Sequence, residues 1–461
     1  MPASAGVGPH GPRSAAPDPV PNAMRKWMLL AAAFAVGCDG PPRPAVPVSQ
    51  LVSDRDGLAV PDPPGPPGEV ARAVNGLLAA PLTAESAVRV ALLNSPALAV
   101  QLESVGVAAA DYETAAQVRN PEFYIAFRPP DRRPPGATDI EATMSEDVLD
   151  LLLLPLRKRM AQRALDQSAL LAADAALGLV RDVRAAVYAL QAQQRTVALQ
   201  EEMARASATT ADLARRLREA GNTDGLDFAT QRAEDAQAQV DLLRARAELA
   251  VDREAVNRLL GLSGPAAVRW TVDELPPVPT ADAPADVAAA GRRRLDVAAA
   301  DADVSLADQA VSLTKGGLLT QVSLGADLER ETDKQIVVGP SIGLDVPIFN
   351  QHQGQIARAE AEARLARQRA AAVRVNAEAD VRSAEARLSA ARAVADLSSR
   401  VLVPQREAVT RATQQQYNGM ILGLYQLLAA KRAELGARQS AVAAEAQYWL
   451  ARADLDRAVG R

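Results

Sequence analysis

Aromatic residues make up only 3% of these 461 residues, although 48% are hydrophobic. Compact globular cores lean on Phe, Tyr and Trp, so so few of them argue against an ordinary globular core. The single cysteine, Cys38, leaves no intrachain disulfide. The two histidines, His10 and His352, stand far apart, and no metal cluster, nucleophile–base pair or phosphate loop is present. Neither catalysis nor a resident cofactor is expected. With 51 basic and 56 acidic residues the net charge is -5, spread along the chain without the basic patch that a nucleic-acid partner needs. Long apolar runs are missing too. Trp27 to Val36 gives about ten residues where a membrane span needs about twenty.

What is present is alanine, and a pattern used twice. Alanine at this density beside Arg, Glu, Gln and Leu reads as long helices in close contact. Pro155 answers to Pro347, Gly221-x-x-x-Gly225-Leu226 to Gly419-x-x-x-Gly423-Leu424, and Ser95-Pro96-Ala97-Leu98 to Arg294-Leu295-Asp296-Val297. Each half then ends on a glycine, Gly261 or Gly460. Such self-similarity predicts one design used in duplicate.

In the first half Thr83 reads as an N-cap, with Glu85 in the first turn, opening a helix that Asn94-Ser95-Pro96 breaks in two. Its counterpart runs from Pro284 to Leu313. Next come alternating segments: Phe123, Ile125, Phe127 and Ile140, Ala142, Met144 in one half, Val322, Leu324, Ala326, Leu328 and Val338, Pro340, Ile342, Leu344, Val346 in the other. Period two predicts strands with one apolar and one polar face, paired as hairpins. A soluble sheet lying on a helix and a transmembrane barrel both fit that pattern. Helices of about 100 Å follow, from Pro155 to Ala220 and from Gln351 to Asn418, the second with a kink at Pro404. Val180, Val183, Val187, Leu190 and Val197 form a coiled-coil seam with Gln194 in it. Glycine tips turn each long helix into a return helix, Leu226 to Leu260 or Leu422 to Val459, through a left-handed backbone.

The chain start carries its own signal. Met24-Arg25-Lys26, the apolar run and Ala35-Val36-Gly37-Cys38 resemble a bacterial lipoprotein signal peptide, with Cys38 as the lipidated residue. Asp39 resembles the residue that retains lipoproteins at the inner membrane in enteric bacteria. The expected organisation is a leader and signal peptide (1–37), a Pro-rich extended tether (38–82) and a first repeat (83–262) with a β-hairpin at 122–146 and its tip at 221. A linker (263–283) and a second repeat (284–461), with a β-hairpin at 321–346 and its tip at 419, complete it.

Four strands in lipid leave two open edges, which a bilayer does not tolerate, so closure needs at least eight strands and hence several copies. Ala91-Leu92-Leu93-Asn94-Ser95-Pro96, Leu154-Pro155-Leu156, Leu217-Arg218-Glu219-Ala220-Gly221, Leu259-Leu260-Gly261, Val346-Pro347-Ile348-Phe349 and Tyr417-Asn418-Gly419, in this order, resemble the TolC family of outer-membrane efflux proteins. The resemblance covers residues 83 to 461. It implies a mainly α fold with a small β part: duplicated helical hairpins forming an α-barrel, and four strands per subunit completing a 12-stranded β-barrel in a homotrimer. It also implies an outer-membrane location with a periplasmic helical tunnel, and a passive export duct whose tips, at Gly221, Asn222, Asn418 and Gly419, dock to a periplasmic adaptor and an inner-membrane pump. Family members place aspartates just inside the tip as an acidic constriction. Asp227 matches that place, with Asp224 beside it, whereas the second hairpin carries Tyr425 and Leu428 instead. Both aspartates also read simply as helix N-terminal carboxylates. The competing reading is a periplasmic adaptor or structural coiled-coil lipoprotein, which should show one hairpin, or no strands.

Overall fold

A computed structural model describes residues 42–60, 65–129, 138–280, 293–316, 322–330, 335–344, 348–349 and 351–461. Residues 43–461 form one compact unit, to which the following applies. The expected leader, Cys38, Asp39, Pro284 and Pro347 lie outside the described residues.

The described elements are α1 (Val48–Asp56), α2 (Pro67–Leu78), α3 (Ala84–Asn94), α4 (Pro96–Ala116), β1 (Glu122–Arg128), β2 (Asp139–Asp147), α5 (Val148–Glu219), α6 (Gly225–Leu260) and α7 (Pro265–Arg269). Then follow α8 (Leu295–Gly316), β3 (Val322–Arg330), β4 (Ile336–Leu344), α9 (Gln353–Leu397), a π-helical turn (Ser398–Leu402), α10 (Val403–Asn418) and α11 (Leu424–Ala458). Among these no single helix is long and apolar enough to cross a membrane.

Thr83 caps α3 as its sequence position demands: its hydroxyl accepts from Ser86 N (3.1 Å) while Ser86 Oγ accepts from Thr83 N (2.9 Å). The four strands make one antiparallel sheet in the order β1-β2-β3-β4. Register brings apolar residues into rows: Ile125, Ala142, Leu328 and Val338 in one, Phe123, Met144, Ala326 and Pro340 in the next. The opposite face sets Thr143 beside Asp327 and Glu141 beside Glu329. Among the described residues no helix covers the apolar face, where Phe123 is 66% and Val338 67% exposed.

α5 is the spine, and at 72 residues it extends about 110 Å. It begins at Val148 rather than at Pro155. The Asp147 carboxylate accepts from Leu149 N (2.9 Å) and fixes the start two turns upstream, leaving Pro155 inside the helix. Val180, Val183, Val187, Leu190 and Val197 are buried as the seam requires, but Gln194 is exposed and the buried amide is Gln191. A 3.6-residue turn drifts against a strict heptad, and that moves the polar position by one turn. Near the sheet the helices lie in the order α4, α5, α8, α9; toward the tips the order is α6, α5, α11, then α9 and α10.

One further expectation needs correction. The described part of the 38–82 stretch is not an extended tether. Its prolines stand at helix entries, Pro47 before α1 and Pro66 before α2, and Val48, Leu51, Val52, Leu58, Val60 and Val74 enter the main core. Arg184 binds Asp56 (3.1 Å), and Ala45 N donates to Asp166 (2.8 Å), fastening this segment to α5. The linker is docked as well: Trp270 and Leu275 are buried, and Leu82 forms a parallel bridge with Val272. At Pro404, where a kink was expected, the helix passes through a π-helical turn just upstream, because proline offers no N–H to the preceding turn.

Candidate functional site: tips and open edges

Each long helix reverses at a tip, and the two tips are built differently. In the first, Gly221 takes φ 76°, Asn222 N donates to Leu217 O (2.8 Å) and Gly221 N to Arg218 O (3.0 Å). These are the bonds of a glycine-terminated helix end. Asp224 then caps α6, its Oδ1 accepting from Asp227 N (2.7 Å), and Asp227 follows in the first turn. Both aspartates are exposed and occupy the helix-dipole positions. The second tip was expected to use Gly419 as its left-handed residue. Instead Gly419 has φ -79° and Met420 takes φ 59°, while Ile421 N donates to Gln416 O (2.9 Å). The closing bond falls one residue later, so the strained position falls on Met420.

Below the second tip, Gly423 N donates to Gln426 Oε1 (2.6 Å) at the start of α11. Tyr425 is half-buried, and its hydroxyl is buried without a hydrogen-bond partner among the described residues. Asn222 and Asn418 flank the tips as expected, both exposed, Asn418 at the end of α10. Sequence reading passed over Met420, 96% exposed, and its exposed neighbour Ile421. The apolar run between Gly419 and Gly423 was the available signal.

Ion pairs hold the two hairpins together above the tips. Arg432 on α11 pairs with Glu234 on α6, and Lys431 binds Glu202 on α5 (3.3 Å) and Glu434 (3.0 Å). Glu434 is buried and also bound by Arg438 (2.9 Å), which reaches Glu407 on α10 (2.9 Å). Burial alone would raise the Glu434 pKa. Hydrogen bonds from Lys431 and Thr410, with the Lys431 and Arg438 charges, outweigh it and hold the carboxyl below its ordinary range.

The repeat motifs meet in space at the opposite ends of the return helices. Asn94 Nδ2 donates to Leu260 O (2.8 Å) and Gly261 O (2.9 Å), closing α6 where Gly261 turns left-handed. Gly460 does the same beside Arg294, the counterpart in the second half. The duplication is thus structural. Among the described residues it leaves two uncovered borders: β1, α4 and α6 on one side, β4, α9 and α10 on the other.

Residues 287–461 match the family described as outer membrane efflux protein. That match covers nearly all of the second repeat. The cobalt-zinc-cadmium resistance protein CzcC of Cupriavidus metallidurans is 28% identical over 302 residues, 63% of this chain and 70% of the relative. The outer membrane channel CmeC of Campylobacter jejuni matches with a TM-score of 0.71 at 15% identity, covering 82% of this chain and 85% of that one. The outer membrane protein VceC of Vibrio cholerae matches with a TM-score of 0.66 at 17% identity, covering 82% and 96%. The fold is that of the TolC-like channels, as the efflux protein domain and the sequence resemblance imply.

Proposed function

We propose that this protein is the outer-membrane channel of a tripartite efflux system: a passive duct that spans the outer membrane as a β-barrel and crosses the periplasm as a helical tunnel. The observation that carries the reading is a four-stranded sheet with an uncovered apolar face and two unpaired edges, continued by a helical layer with matching open borders. Such a chain satisfies its edge strands only in a closed ring of copies, and three copies give twelve strands. The polar face, with Glu141, Thr143, Asp327 and Glu329, then lines water. Two hairpins and a strand-bearing sheet speak against a single-hairpin adaptor.

In this reading Cys38 carries the lipid anchor, and the tips at Gly221, Asn222, Asn418 and Gly419 dock to a periplasmic adaptor that links the duct to an inner-membrane pump. Asp224, Asp227 and Tyr425 remain the residues from which a constriction would be built. The resistance protein of 28% identity makes divalent transition-metal cations the first cargo to test. Deleting the gene, measuring intracellular zinc, cobalt and cadmium, and crosslinking from cysteines placed at Asn222 or Asn418 tests the scheme. Accumulation of cargo with capture of an adaptor is expected. Recovery of a monomer from mild detergent, with no adaptor captured, sinks it.

A further inference from the structure

Sheet and helical layer end on the same two sides of the molecule, and the two borders are unlike. We infer that each copy of this chain docks α4 against α9 of the next copy in a fixed register, with Val100 on Val375 and Glu113 facing Arg364. This rests on the channel reading above. A ring closed by rotation alone shifts no copy along its axis, so residues that meet across a seam stand at equal height in their own chains.

Heights follow from contacts within the chain. α5 and α9 run away from the sheet, whereas α4 and α8 run toward it. The Lys158 ammonium lies 5.8 Å from the Tyr112 ring centre, a Cβ on Gly316 would stand 3.6 Å from Leu153, and Lys315 pairs with Glu360 (2.7 Å). Stepping down α5 from Leu153 to Lys158 moves as far as stepping from Gly316 to Val311 along α8, or from Glu360 to about Arg364 along α9. Tyr112 and its neighbour Glu113 are therefore level with Arg364 to within a turn, ~5 Å. About twelve residues, or ~18 Å, farther from the sheet on both helices stand Val100 and Val375. They are apolar, and 66% and 65% exposed.

Charge agrees with this register. α4 carries Glu103, Asp111 and Glu113 and no basic residue. On the facing stretch of α9, Arg358, Arg367 and Arg374 are paired within the chain, whereas Arg364 and Arg369 make no ion pair among the described residues. Unpaired carboxylates on one border thus stand level with unpaired guanidiniums on the other. Nearer the tips the match repeats. Tyr188 stacks on Trp449, Arg392 lies over Tyr448, and Gln193 Nε2 reaches Ala245 O (2.9 Å), which sets Leu243 of α6 and Leu397 of α9 at one height to within a turn. These two are 65% and 63% exposed.

The test places Val100→Cys and Val375→Cys together in the full chain and oxidises isolated outer membranes. A covalent ladder ending at the closed ring is expected on a denaturing gel, with none from either single substitution. Glu113→Arg should lower the crosslinking yield several-fold, and adding Arg364→Glu should restore it. An intact ring by native mass that crosslinks through Val100→Cys with Leu365→Cys, and not with Val375→Cys, overturns the register while leaving the channel reading standing. A monomer by native mass overturns both.

Discussion

The two halves share a plan and differ in how firmly they hold it. In the first, one unbroken helix, α5, anchors the largest buried cluster, including Leu177, Val180, Val183, Val187 and Leu190, and gathers the N-terminal segment and Trp270 around it. In the second, the long helix is interrupted by a π-helical turn before Pro404, and its buried face is largely alanine: Ala359, Ala363, Ala366, Ala370 and Ala377. Alanine allows close helix approach but buries little area per residue. The first half is therefore expected to be the more firmly packed of the two.

The sharpest way to break this comparison lies at the two closing glycines. Gly261→Ala would place a Cβ 2.3 Å from Asn94 O on a residue with φ 67°, so steric overlap adds to left-handed strain. A loss of ~3 kcal/mol is expected. Gly460→Ala meets nothing nearer than 3.6 Å and should lose only the strain, ~1 kcal/mol. Thermal unfolding of the two variants in detergent checks the difference. Equal losses would mean that the halves close with equal rigidity.

Glu434 sets how firmly the second half is held to the first. Glu434→Ala removes the carboxylate shared by Lys431 and Arg438, and because those partners are about one-third exposed the cost should be ~1–2 kcal/mol. The sign of its pH effect follows from its lowered pKa. The ionised network contributes fully at neutral pH, and that contribution is lost as pH falls below the ordinary glutamate value of 4.5 and through the lowered one. Unfolding profiles between pH 3 and 7 should therefore be flatter for Glu434→Gln than for the parent. Identical profiles would show that another carboxylate controls the acid response.

Much of this could be read from residue pattern, for reasons that are local. Thr83 announces its helix because a cap needs only the residues beside it. The strands announce themselves because period two is a short-range signal. Gly221 stands where the first reversal needs it, whereas the second reversal puts its left-handed residue on Met420, one past Gly419. Proline misled in two directions, because the same residue opens a helix at Pro47 and Pro66 and sits inside one at Pro155. Whether Val48 and Val52 find a partner depends on α5, more than a hundred residues away, and composition does not report that. The meeting of Asn94 with Gly261 was visible only as two separate motifs.

The tips offer the finest comparison. At the first, Asp224→Ala deletes the cap on Asp227 N and should cost ~1 kcal/mol, read as earlier hydrogen exchange in the first turn of α6. At the second, strain sits on Met420, a non-glycine residue at φ 59° that projects its side chain into solvent. Met420→Gly should relieve that strain and stabilise the turn by ~0.5 kcal/mol, the gain being partly offset by glycine's larger unfolded freedom. The same substitution removes the most exposed apolar side chain of a proposed docking surface. Slower exchange at the tip together with weaker adaptor capture would show that the second half accepts a strained turn to present a methionine. Slower exchange with unchanged capture would place docking on the first tip, where glycine already supplies the bend at no such cost.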